Sequence, residues 1–212
     1  MGTIPKGILG PVSGTVGTVI GGSWKGINYL RSQSSSRKTG FSTKQLEQQA
    51  KFALVIRFLQ PLTPLLAFSF RDFAVKMSGF NSAMRYTLLN AITGTYPDFD
   101  IDYSLALVSR GDLPGAFSPS ASSTVAGTVS FQWQDNSGVG KAQATDASIL
   151  VAYCPSRNQC IYTSVGAVRS AGSDTLQVAA FSGLEVQTYI GFISADGKSI
   201  ASSVYTGQLT VA

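Results

Sequence analysis

From Phe99 onward the apolar residues recur with a period of two. Phe99, Ile101, Tyr103, Leu105 and Leu107 fall on one side of an extended chain, and Asp98, Asp100, Asp102 and Ser104 fall on the other. Successive side chains of a strand point to opposite faces, so this alternation suits a half-buried strand and no helix. Further β-prone runs follow at 128–134, with Val129, Phe131 and Trp133 inward, and at 148–154, 159–164, 175–179, 185–194 and 199–205. Turn chemistry separates them at Pro155-Ser156-Arg157-Asn158 and Ala195-Asp196-Gly197-Lys198. The pattern predicts a seven-stranded β-sandwich over residues 97–212.

The stretch before it, residues 41–96, is expected to be helical. Ser42 as N-cap with Gln45 three residues on makes a capping box, and Phe41 with Leu46 makes a hydrophobic staple, which predicts a helix over 43–59. Leu46, Ala50, Ala53, Leu54 and Phe58 recur at helical spacing, so the second half should be mostly buried. Pro61 ends that helix, and Thr63 with Pro64 starts a second, running to about Lys76. A third is expected from Asn81 to near Gly94, giving two or three helices in all. The apolar run from Phe52 to Phe70 carries Arg57, Gln60, Pro61, Thr63 and Pro64, so buried helices explain it better than a membrane span.

Residues 1–40 form an arm of different composition. Eight of the first 26 residues are glycine, and GPVSGTVGTVIGGSWKGINYLRS at 10–32 has two β-prone runs around Gly21-Gly22. A hairpin of Thr15–Ile20 against Ser23–Leu30 is expected, anchored by Trp24, Ile27 and Tyr29, with residues 33–40 as a linker. So small a piece does not bury enough surface to hold its shape alone, and is expected to lie on its own body or on a neighbouring chain. The whole reads as α+β, mostly β.

Charge divides the chain in the same way. Lys6, Lys25, Arg31, Arg37, Lys38, Lys44, Lys51 and Arg57 face Glu47 alone in the first sixty residues. Beyond residue 110, Lys141, Arg157, Arg169 and Lys198 are outnumbered by Asp112, Asp135, Asp146, Asp174, Glu185 and Asp196. This asymmetry favours head-to-tail self-association, or docking of the arm on nucleic acid or an acidic surface; a merely solvated basic arm is the plainer reading. Lys25, Arg31, Arg37 and Lys38 beside Trp24 and Tyr29 would suit phosphates and bases, but the same aromatics serve as hairpin anchors.

Histidine is absent, which removes the commonest general base and metal ligand, and two cysteines do not make a four-thiolate site. The expectation is a non-enzymatic protein with no cofactor, metal or small-molecule substrate. Asp98, Asp100 and Asp102 resemble a calcium loop only superficially, since the glycine and distal glutamate of such a loop are missing. Cys154 and Cys160 flank a five-residue turn; placed opposite each other in a hairpin they would form a disulfide, and otherwise they are two reduced thiols. No continuous apolar segment of a signal peptide opens the chain, so the product is expected in the cytoplasm or a virion, or outside the cell after assembly or dedicated export.

Trp133, ILVAY at 149–153, Leu176 and TYIGFISADGKSIASSVY at 188–205 resemble a fibronectin type III or immunoglobulin-like domain. That resemblance implies spacers, glycan-associated modules or decorations of phage particles. GILGPVSGTVGTVIGGSWKGINYLRS and WQDNSGVGKAQATDASILVAYCPSRNQ resemble an uncharacterised Bacteroidetes family known as a domain of unknown function, and the VG…GxWKG…RS start resembles small proteins encoded among phage structural genes. The functional expectation is a structural subunit that self-assembles into a virion, tail or filament. In that reading Trp24, Ile27 and Tyr29 are the anchors, and Lys25, Arg31, Arg37 and Lys38 are assembly or phosphate contacts. A nucleic-acid-associated protein is the alternative; a glycan or surface adhesion module, with Phe117, Tyr153 and Tyr205 as its aromatics, is another.

Overall fold

The protein is described by a computed structural model covering residues 2–4, 7, 10–34 and 40–212. The chain divides into two compact units, Met1–Ser42 and Thr43–Ala212.

The first unit is a three-stranded antiparallel meander of β1 (Gly14–Val16), β2 (Val19–Trp24) and β3 (Ile27–Ser32), with β2 in the centre. The expected hairpin about Gly21-Gly22 is corrected here. Both glycines lie inside β2, and the turns fall at Gly17-Thr18 and Lys25-Gly26. Lys25 and Gly26 both have positive φ, as a two-residue type I′ turn requires. The glycine pair serves close approach instead: a Cβ on Gly21 would lie 2.0 Å from the Val12 carbonyl oxygen, and one on Gly22 would meet the Tyr29 ring.

In the second unit α1 (Thr43–Leu59) passes through a 3₁₀ turn at Gln60–Leu62 into α2 (Thr63–Ser69). The run Thr43–Ser69 is long and apolar enough to cross a membrane by length and composition alone, but Val55, Phe58, Leu59, Leu62, Leu65 and Leu66 are buried in this unit's core. The second helix is shorter than expected. Helix α3 (Gly79–Asn90) begins two residues early because Ser78 caps it, accepting from the Asn81 N–H at 3.2 Å. It stops before Gly94, which sits with φ +83° inside a hairpin of β4 (Ile92–Thr95) and β5 (Asp98–Ile101).

Here the expected long strand from Phe99 is also corrected. It ends at Ile101, because Asp102 folds back into a turn in which its carboxylate accepts from the Ser104 N–H at 2.9 Å. A three-stranded sheet orders β10 (Ser173–Gln177), β7 (Thr128–Gln134) and β6 (Phe117–Ser122). A four-stranded sheet orders β12 (Val204–Thr210), β11 (Glu185–Ile193), β8 (Ala147–Cys154) and β9 (Gln159–Thr163). Strand β6 replaces Phe99–Leu107 as the first strand of these sheets, and β12 lies several residues beyond the expected 199–205.

The four-stranded sheet has apolar cover on both faces. Ile149, Val151, Tyr153 and Tyr189 share a core with Phe58, Leu62 and Leu66 of the helical segment. Leu150, Ala152, Cys154, Ile190 and Phe192 share a second core with Val129, Phe131, Trp133 and Leu176 of the three-stranded sheet. Burial on both sides is why β8 reads as a continuous apolar run instead of alternating.

Candidate assembly surface

Directly paired residues of an antiparallel ladder share a face. The register Ile20↔Arg31, Gly22↔Tyr29 and Trp24↔Ile27 therefore places Ile20, Trp24, Ile27, Tyr29 and Arg31 on one face of the N-terminal sheet. The three expected anchors are brought together, and with them one of the expected cations. The side chains are open: Trp24 is 60% exposed, Ile27 66% and Tyr29 47%. Tyr29 lies against Gly22, so its ring is held over the sheet. Lys25 stands at the turn, while Arg37 and Lys38 lie outside the described residues.

The edge of the sheet is the feature that sequence reasoning missed. Strand β3 is an outer strand, and all six of its residues are exposed. The Gln33 N–H donates to the Thr18 carbonyl at 2.7 Å, which fixes the alternation of the β2–β3 ladder. Arg31, Tyr29 and Ile27 then bond inward to β2, and Asn28, Leu30 and Ser32 turn their N–H and C=O groups outward. Leu30, 62% exposed, lies on the face opposite Trp24. Only the register could have revealed this, and the misplaced turn concealed it.

The cysteines do not meet. Strand pairing sets Cys160 opposite Tyr153 and Cys154 opposite Gln159, so the two thiols point to opposite faces of the four-stranded sheet. Both are free. Of the two alternatives the sequence leaves open, the structure has two reduced thiols, because a one-residue register difference keeps them from facing each other. Burial pushes the Cys160 thiol up to about 12. Tyr153, one of the three aromatics of the glycan reading, is likewise buried, packed edge-on to Phe58 with ring centroids 5.0 Å apart. Tyr205 packs on Tyr189, and Phe117 alone of the three is exposed.

Among the acidic residues, Asp98 and Asp100 face Thr95 and Thr93 across the hairpin. The Ser104 hydroxyl holds the Asp102 carboxyl below its ordinary value, aided by backbone N–H donors. Among the described residues, no group of three histidine, cysteine or carboxylate side chains is placed to hold a metal ion. Asp146 is internal: its Oδ2 lies 3.1 Å from Nε of a wholly buried Arg169. That guanidinium also donates to Asn136 Oδ1 at 2.6 Å and to the Pro114 and Gly115 carbonyls at 2.9 and 3.2 Å, and it stacks 3.9 Å from the Phe192 ring centroid. Burial pulls Arg169 below its ordinary pKa, while Asp146 beside it pulls it back up. Two of the charges counted in the sequence therefore cancel inside the core. Asp112, Asp135, Glu185 and Asp196 remain exposed.

The family model of DUF6266, a family of unknown function, matches residues 11–207. The chain belongs to that family. The DUF6266 match takes in β1–β3 and runs on into β12 of the second unit. No curated protein matches the chain.

Proposed function

We propose that this DUF6266 chain is a non-enzymatic structural subunit that self-assembles head to tail, as part of a virion, tail or filament. The observation that carries the reading is the free edge of β3 beside an exposed apolar face. An added strand would draw affinity from backbone hydrogen bonds to Asn28, Leu30 and Ser32, and specificity from Trp24, Ile27 and Tyr29. Natural proteins ordinarily protect such edges, so one left open on a meander of 42 residues or fewer calls for a partner. The exposed acids of the second unit offer the arm's Lys25 and Arg31 a complementary surface on the next copy. Contacts of this kind that do not close on themselves grow into filaments.

The order of the two sheets, β10-β7-β6 and β12-β11-β8-β9 around a shared core, supports reading β6–β12 as a fibronectin type III-like sandwich. Sedimentation velocity of the full chain and of a version lacking residues 1–40 tests the assembly. Oligomers are expected from the first and monomers from the second. A monomeric full chain, or a truncated one that assembles as before, ends the proposal.

A second reading has one observation in its favour. Arg31 shares a face with Trp24 and Tyr29, as a surface that pairs with phosphate and stacks on bases would require. Affinity for random-sequence DNA should then fall steeply with salt, and a flat response removes it.

A further inference from the structure

We propose that a cavity in the helical segment, between α3 and the chain around Arg110, is a binding site for a small oxyanion such as a carboxylate or phosphate group. The cavity has a volume of about 440 Å³, within the size range of small-molecule sites. Phe73, Ser82, Arg85, Tyr86, Asn90 and Arg110 are among its lining residues, and no carboxylate lines it. The Arg110 guanidinium carbon lies 4.2 Å from the centroid of the Phe73 ring and 5.2 Å from that of Tyr86. Aromatic rings engage the faces of a guanidinium and leave the N–H donors along its edge unused.

Three other arginines of this unit, Arg71, Arg157 and Arg169, put donors to use within the protein. Arg71 pairs with Asp72 at 3.4 Å and donates to the Gly197 and Lys198 carbonyls. Arg157 donates to the Ala180 carbonyl at 2.8 Å, and Arg169 makes four hydrogen bonds. Among the described residues, neither Arg85 nor Arg110 has an ion pair or a side-chain hydrogen bond. Two unspent cations therefore face one concavity.

The walls are fixed. The Ser82 hydroxyl donates to the Phe73 carbonyl at 3.0 Å, the Asn90 amide donates to the Tyr86 carbonyl at 2.8 Å, and the Arg110 N–H donates to the Ser69 carbonyl at 3.0 Å. A site held this way loses little freedom on binding, and a planar oxyanion matches the guanidinium edge with two parallel hydrogen bonds.

The test is an NMR titration of the full chain with inorganic phosphate, with succinate and with the neutral diamide of succinate. Saturable shifts of the Arg85, Tyr86 and Arg110 amides are expected with one or both anions, and none with the diamide. Phosphate alone or succinate alone would each support the proposal and tell which oxyanion the site prefers. R85Q alters an exposed position and should keep the fold while weakening binding about tenfold or more. R110Q should weaken it further; if R110Q loses the fold, R85Q decides. No saturable binding of either anion, equal binding of the diamide, or affinity unmoved by R85Q overturns the proposal.

Discussion

Replacing Arg169 with methionine should cost the second unit about 3–5 kcal/mol, because it strands a buried charge. Methionine keeps an apolar stem and the contact with Phe192, so the area removed from water changes little and the loss is electrostatic. The guanidinium is fully buried, 3.1 Å from Asp146 Oδ2. Asp146 Oδ1 already lacks a partner among the described residues. After the substitution, Oδ2 keeps only the Gln143 N–H at 2.9 Å, and the Asn136, Pro114 and Gly115 oxygens lose their shared donor. Against a net stability of about 5–15 kcal/mol for an ordinary domain, this is a large fraction. Urea unfolding at neutral pH, followed by tryptophan fluorescence, reads the loss directly; Trp133 donates to the Arg169 carbonyl at 2.7 Å and reports on the same place. Adding Asp146→Asn removes the stranded charge and should recover at least about 1 kcal/mol. A single variant that loses less than about 1 kcal/mol, or a double variant no better than the single, refutes the reasoning.

Three further outcomes are expected. Leu30→Pro removes an outward N–H and should spare the meander while abolishing assembly, whereas Tyr29→Pro removes an inward donor and should disrupt the meander itself; circular dichroism with sedimentation separates them. Thiol counting in denaturant without reductant should find both cysteines free, and in the folded protein Cys160 should alkylate slowly at neutral pH, since its raised pKa keeps it a thiol. Alkali should destabilise the second unit. Cys160, Tyr153 and Tyr189 all have pKa values raised by burial, so the unfolded chain ionises first, from about pH 9 for the thiol and about pH 10 for the phenols. Stability from these groups is whole below that range and falls as pH rises through it, which urea midpoints between pH 8 and 11 would show.

What the sequence made legible was whatever burial alone dictates. ILVAY at 149–153 is apolar throughout because both of its faces are covered, and the 43–59 helix begins at a strong local signal. Strand β6, FSPSAS, gave no such sign: it is an edge strand, where Pro119 is tolerated and little apolar surface is needed. Gly21-Gly22 had the chemistry of a turn, yet its role is to admit the Val12 backbone and the Tyr29 ring, contacts that exist only once the sheet has formed. The alternation from Phe99 ran on past the point where Asp102 turns the chain. Among the candidate residues, Trp24, Ile27 and Tyr29 stand out by size alone, and the register sets them on one exposed face. The free edge at Leu30 and the stacked Arg110 depend on register and long-range packing, which local spacing does not encode.

Hydrogen–deuterium exchange on the proposed assembly, resolved to single amides of β3, puts the proposed pairing of that strand to the most direct trial. Asn28, Leu30 and Ser32 should exchange about tenfold or more slowly in the assembly than in dissociated subunits, while Ile27, Tyr29 and Arg31, already bonded to β2, change less. Equal exchange of the three outward amides in both states would contradict the account.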